Sequence, residues 1–252
     1  MIFRWSIWGG GLSRNLELLR YSILSFKKQF GSEHQYVVYT DDANFVAAQL
    51  NKAAHVQSFP DVGQSPFCIE SKATWRKWCP SPRLDVNKTE IYVDSDVFLL
   101  KYPEEIASFI ADSKTKFAVL DEFLGEPWQH GAMQKRATAN TPLINAGLFI
   151  QKAGYDITHD LLGELNWWQS NILTDEQTHH DEQGALRLAL AKYAAAGELC
   201  ILPKNRYLII GENENTEIEN LEAIILFHAV YPEHPAFYKF KHILDRLVMN
   251  CK

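Results

Sequence analysis

The run Ile91-Tyr92-Val93-Asp94-Ser95-Asp96-Val97-Phe98-Leu99-Leu100 constrains this chain more than any other stretch. Aliphatic, β-branched and aromatic residues flank two carboxylates one residue apart. The pattern predicts a buried strand that ends in the two carboxylates. Carboxylates beside such a strand are costly to desolvate unless something pairs with them, and at short range they repel each other. A divalent cation would answer both problems. Hard oxygen ligands suit Mg²⁺ or Mn²⁺, and such an ion keeps open positions for substrate phosphates. The alternative is plain: the strand ends and caps a helix that begins near Pro103-Glu104-Glu105. The rest of the chain must decide.

Hydrophobic periodicity predicts alternating strands and helices. Residues 2–8 read as a strand closed by Gly9-Gly10-Gly11, and residues 13–30 as a helix. Leu16, Leu19, Ile23, Phe26 and Phe30 share one face of that helix, with Ser13 as N-cap and Gly31 as stop. Strands follow at 36–40 and, more weakly, 55–59, with a short helix over 45–50 between them. Residues 69–79 read as a helix ended by Pro80 and Pro82. After the Asp-x-Asp strand come a helix near 103–111, a strand at 117–120 and a polar, aperiodic loop over 121–141. A strand at 143–151, helices at about 156–173 and 181–196, strands at 199–202 and 224–227, and an amphipathic helix at 238–250 complete the chain. No repeat or linker divides it, so the 252 residues read as one domain, with a nucleotide-binding part over about 1–120 and an acceptor-binding part over about 121–252.

This order predicts an α/β fold whose mixed, mostly parallel sheet is flanked by helices. Ligands of such sheets sit beyond the carboxyl ends of the strands. The glycines after the first strand, Asp41 after the second and Asp94 and Asp96 after another converge on that edge. The glycine run matches neither a dinucleotide nor a phosphate-loop spacing and reads first as a strand-to-helix turn.

Composition excludes several classes. A net charge of −6 gives no support to a nucleic-acid partner. No apolar run approaches the roughly 18 residues that span a bilayer, and the start of the chain does not read as a signal peptide. A cytoplasmic protein is the expectation. Cys68, Cys79, Cys200 and Cys251 lack C-x-x-C spacing, so neither a disulfide scaffold nor a thiolate metal site is expected. They read as small buried hydrophobes or inert surface thiols.

Four segments together resemble the metal-dependent GT-A glycosyltransferases, in particular the family of glycogenin and bacterial lipopolysaccharide galactosyl- and glucosyltransferases. They are Ile91–Asp96, Leu143-Ile144-Asn145-Ala146-Gly147-Leu148-Phe149, Asp181-Glu182-Gln183-Gly184-Ala185-Leu186, and Phe227–Pro235 with His228 and His234. The resemblance implies a GT-A fold and transfer of a sugar, with UDP-hexose as the leading donor, to a glycan, glycolipid or small-molecule acceptor. It implies that Asp94, Asp96 and His228 hold Mn²⁺ or Mg²⁺. Glu182 and Gln183, with Asp181 before them, fall where the family contacts the donor sugar near the reacting carbon. His234 stands where the family has a diphosphate-binding lysine. Asn145 would face sugar or acceptor. Lys72 and Arg76, four apart, would supply the family's basic contact to the donor; Ser95 lies inside the motif, and Trp8 and Asp41 reach the nucleotide by strand-end position. Trp128, His130 and the Trp167-Trp168 pair offer the aromatic faces of an acceptor surface, although the pair reads first as core.

Retention is the outcome the resemblance favours, although a free carboxylate at Glu182 could serve as the general base of an inverting reaction. A glycolipid acceptor is compatible with peripheral membrane association. Two other functions fit the same sheet. A sugar-phosphate nucleotidyltransferase would want a basic glycine-rich loop after the first strand, where only Arg14 is close. A non-catalytic sugar-binding module would need no metal.

Overall fold

The computed structural model describes residues 1–10, 12–122, 127–211, 221–230 and 234–248. Its centre is strand β1 (Ile2–Ile7), buried along its whole length. Phe3, Trp5 and Ile7 point to one face, where they meet Leu19, Ile23 and Phe26 of helix α1 (Leu12–Phe30). The five apolar positions expected on that helix are all buried, and the Trp5 indole donates to Ser22 Oγ at 2.9 Å.

Beside β1 lie β2 (Gln35–Thr40) and β3 (His55–Ser58), joined through α2 (Ala43–Leu50). Beyond them are β4 (Glu90–Val93), β6 (Phe117–Asp121), β7 (Ile144–Gln151) and β8 (Leu199–Leu202). The sheet order is β3-β2-β1-β4-β7-β6-β8. β7 runs antiparallel to both neighbours, while the other pairings are parallel. This reversal places the start of β7 at the edge where the other strands end. Helices α4 (Thr158–Asn171) and α5 (Asp181–Ala195) cover the β6–β7 half. A second sheet is formed by β5 (Val97–Leu99), β10 (Leu226–Ala229) and β9 (Tyr207–Ile210), in the order β5-β10-β9. Helix α6 (Pro235–Val248) packs Phe237 and Phe240 onto it. Helix α3 (Glu104–Ala111) follows β5.

The strand that leads to the Asp-x-Asp pair ends at Val93, as expected, and the chain turns at Asp94–Asp96 and changes sheets. Three expectations need correction. Residues 69–74 are irregular, and only Trp75–Trp78 form one 3-10 turn; buried Trp75 and Trp78 anchor it, so helical spacing between Lys72 and Arg76 does not apply. Cys68 and Cys79 form a disulfide. The missing C-x-x-C spacing argued against a metal site, but a single bridge across an irregular segment carries no such signature. The loop predicted over 121–141 contains a kinked 3-10 segment, Pro127–Arg136, with Gly131 at φ 56°. β9 was not anticipated, and Cys251 lies outside the described residues.

The other face of β1 presents Arg4 and Ser6, both buried. Arg4 Nη2 donates to the carbonyls of Cys79 at 2.6 Å and Lys77 at 3.3 Å, and Nη1 lies 3.4 Å from Glu90 Oε1. Ser6 Oγ donates to Lys77 O at 3.1 Å. The guanidinium thus fastens the 77–81 segment to the sheet and satisfies carbonyls that no ladder can reach. Arg4→Met is expected to cost about 3–5 kcal/mol of stability, as loss of one partner from a buried ion pair does. Urea unfolding measures this; an unchanged midpoint would refute the clamp.

Candidate active site

β4 delivers Asp94 to the carboxyl edge of the large sheet. Asp94 N donates to Gly147 O at 2.8 Å, and Val97 N returns to Asp94 O at 3.2 Å, closing a tight turn. The chain then enters β5, where Val97 lies opposite His228 of β10. Ala229 N donates to Asp96 O at 2.9 Å. The motif is therefore the joint between the two sheets. One ligand atom from each of Asp94, Asp96 and His228 lies within 4.8 Å of the others.

The carboxylates already have partners in the protein. Lys77 Nζ lies 3.0 Å from Asp94 Oδ1 and 3.1 Å from Oδ2. His228 Nε2 lies 3.2 Å from Asp96 Oδ1, and His234 Nδ1 lies 3.3 Å from Asp96 Oδ2. Burial alone would raise the Asp96 pKa, but the two imidazoles outweigh it and hold the group below the usual carboxylate range. Burial likewise opposes the His228 imidazolium, and Asp96 overcomes it, raising that pKa. Repulsion between the aspartates therefore does not by itself demand a metal ion. What favours one is the donor set: two carboxylates and an imidazole converging at the rim of the sheet.

A bulge in β7 shapes the floor. Val119 pairs with Phe149 but the next residue, Leu120, pairs with Asn145, so residues 146–148 leave the β6 ladder. Their peptide groups turn to the site instead. Ala146 N donates to Gln183 Oε1 at 2.9 Å, Ala146 O accepts from Lys77 Nζ at 2.9 Å, and Gly147 N donates to Asn145 Oδ1 at 2.9 Å. A Cβ on Gly147 would lie 2.5 Å from the His228 ring, so only glycine admits the imidazole here.

The sequence pointed to Lys72 and Arg76; the structure puts Lys77 at the aspartates. Lys72 is exposed. The Arg76 guanidinium sits 5.3 Å over Phe59, whose ring also meets Trp8 at 6.1 Å and Tyr39 at 6.2 Å. Asp41 Oδ2 accepts from Gly9 N at 2.9 Å, tying together the turns after β1 and β2. Lys77 gave no signal in the periodicity, because Arg4, rather than any helix, fixes its direction. Burial works against its ammonium, but Asp94 and Glu182 prevail and raise its pKa.

Glu182 and Gln183 stand in the first turn of α5. Glu182 is buried, 3.8 Å from Lys77 Nζ and 3.2 Å from Thr74 Oγ1. Burial lifts its pKa to about 7, the attraction of Lys77 notwithstanding. Asp181 turns elsewhere. Its oxygens accept from Trp168 Nε1, Ala132 N and Thr178 Oγ1, each at 2.8 Å, and from Thr178 N at 3.1 Å. It fastens the 3-10 segment to α5. His234, at φ 48°, binds Ala229 O through Nδ1 at 2.6 Å. Ser95 is half-buried inside the turn. Trp168 is core, and His130 is buried with Nε2 3.1 Å from Ile144 O; the Trp128 side chain lies outside the described residues. Sequence reasoning also missed Glu122, buried just after β6, which accepts from Asn145 Nδ2 and Gln183 Nε2, each at 3.2 Å.

No family model matches the chain, and no curated protein matches it in sequence. Solved structures do match. The galactosyltransferase LgtC with donor and acceptor sugar analogs superposes at TM-score 0.55 and 13% identity, covering 98% of this chain and 96% of that one. An active-site mutant of LgtC gives 0.59 and 14%, covering 96% and 95%. The bifunctional glycosyltransferase WbbM gives 0.65 and 11%, over 99% of this chain and 50% of that one. The chain has the GT-A fold of these glycosyltransferases, as its sequence led one to expect. Among the described residues no helix is long and apolar enough to cross a membrane.

The raised pKa of Glu182 has a thermodynamic consequence. The native state holds this proton more tightly than the unfolded chain does. Its stabilising contribution is full below about 4.5 and is lost as pH rises through about 7. Glu182→Gln should remove that loss, so the variant gains stability relative to wild type between pH 5 and pH 7. Urea unfolding at the two pH values tests the sign.

Proposed function

We propose that the chain is a glycosyltransferase that moves a hexose from a nucleoside-diphosphate donor, UDP-hexose in first place, to a glycan, glycolipid or small-molecule acceptor. The observation that carries this reading is the meeting of Asp94, Asp96 and His228 at the carboxyl edge of a GT-A sheet, with Lys77, Glu182, Asn145 and Gln183 beside them. The donor set fits Mn²⁺ or Mg²⁺, which would be held by those three residues. A cation bound there supplies Lewis-acid stabilisation of the charge that develops on a departing diphosphate.

The chain's own groups take the remaining work. Trp8, Asp41 and Arg76 form the nucleotide end of the site, and Ser95 presents the middle of the turn to the donor. Lys77 replaces Lys72 as the basic donor contact, since its ammonium is already aimed at the aspartates. His234 offers an N–H to phosphate oxygen where the family places a lysine. Gln183 and Asn145 face the sugar. Glu182 is buried and held by Lys77 and Thr74, which favours a donor-positioning role over that of a base, and with it retention of configuration. Asp181 positions the start of α5. The nucleotide end belongs to the first half of the chain, and the acceptor would be met by the second. His228 faces Asp96 through Nε2, so loading the cation must release the proton carried there, and metal affinity should rise with pH.

The expected result is hydrolysis or transfer of a nucleotide sugar that stops with EDTA and returns with Mn²⁺. Asp96→Asn should lower the rate at least about 100-fold, the order of a lost metal-site contact. If no nucleoside-diphosphate sugar raises the melting temperature with Mn²⁺ present, the reading fails. Gly147→Ala should fold yet bind Mn²⁺ more weakly, since its Cβ displaces the His228 ring; calorimetric titration measures the change.

A further inference from the structure

We infer that Glu122 is a positioning residue whose carboxylate sets both the metal-facing nitrogen of His228 and the amide of Gln183, tying the cation site to the sugar site. The inference rests on the function proposed above. Glu122 follows β6, whose Leu120 and Asp121 pair with Asn145 and Ile144, so the sheet itself fixes its place. It is 4% exposed.

Three side-chain amides converge on it. Asn145 Nδ2 and Gln183 Nε2 reach Oε2, each at 3.2 Å. Gln129, with its amide nitrogen turned inward, donates to Oε1 at 2.7 Å. An ionised carboxylate only accepts, so each amide must present nitrogen to Glu122 and oxygen to the other side. Asn145 Oδ1 therefore faces outward, where it accepts from Gly147 N at 2.9 Å and meets His228 Nδ1 at 3.1 Å. That contact requires hydrogen on Nδ1 and leaves Nε2 directed at Asp96. On the other branch, Gln183 Oε1 is turned to Ala146 N, and its nitrogen is shared with Gln129 O at 3.0 Å. One acceptor, in concert with the N–H groups of Gly147 and Ala146, thus sets two orientations that sequence spacing does not connect.

The test uses three measurements. In metal-free wild type at neutral pH, ¹⁵N spectra of labelled histidine should show a proton on His228 Nδ1. A bare Nδ1 would overturn the inference without any variant. Glu122→Gln sets a donor against amide nitrogens and so opposes the orientation that Gly147 N and Ala146 N favour in Asn145 and Gln183. It should weaken Mn²⁺ binding by about 10–100-fold, the range for outer partners of metal ligands, and lower kcat more than KM. Adding Asn145→Asp to Glu122→Gln restores donor–acceptor polarity on the His228 branch alone. The double variant should recover Mn²⁺ affinity but not kcat, which loss of packing would not produce. If folded Glu122→Gln binds Mn²⁺ as wild type does and keeps the Nδ1 proton, the inference is overturned. If wild type shows the Nδ1 proton yet binds neither Mn²⁺ nor nucleotide sugar, the proposed function fails and the positioning role stands.

Discussion

The site depends on a strand that abandons its sheet. Between Val93 and Val97 the chain leaves the large sheet for the small one, and the carboxylates of Asp94 and Asp96 sit on the joint. A continuous strand would point adjacent alternate residues to one face of one sheet and leave His228 far from both. The turn instead hands Asp94 to the floor built by β7 and Asp96 to β10. The meeting of Asp94, Asp96 and His228 is thus a consequence of topology, and any change that straightens the joint would separate them.

The second constraint is electrostatic. Two acidic groups at a partly buried joint need compensation, and the chain supplies it twice: Lys77 for Asp94 and the two imidazoles for Asp96. Arg4 holds the Lys77 segment through backbone carbonyls, so the counter-charge is positioned by a second buried cation.

Much of this was legible in the residues. The helical period of α1 and the apolar runs of β1, β2 and β4 depend on burial alone, and burial leaves a pattern. The placement of Asp41, Asp94 and Asp96 followed from strand ends in a mostly parallel sheet. Asn145 was harder, because its position at the same edge requires β7 to run backwards, which no local signal announces; its place came from resemblance. Lys77, Glu122 and the Cys68–Cys79 bridge were not legible. Each owes its position to contacts more than ten residues away, across an irregular segment with no period to read.

The distinction between Glu182 and Asp181 shows where such reading reaches its limit. Both begin α5, both are acidic and both are buried. Asp181 is saturated by donors from Trp168, Ala132 and Thr178, so its charge is spent on structure. Glu182 has Lys77 and Thr74, and burial leaves it close to the point of protonation near neutral pH. A residue whose charge is only partly compensated responds to what binds beside it. Adjacent carboxylates on one helix thereby differ in role by the donors around each and not by the sequence that holds them.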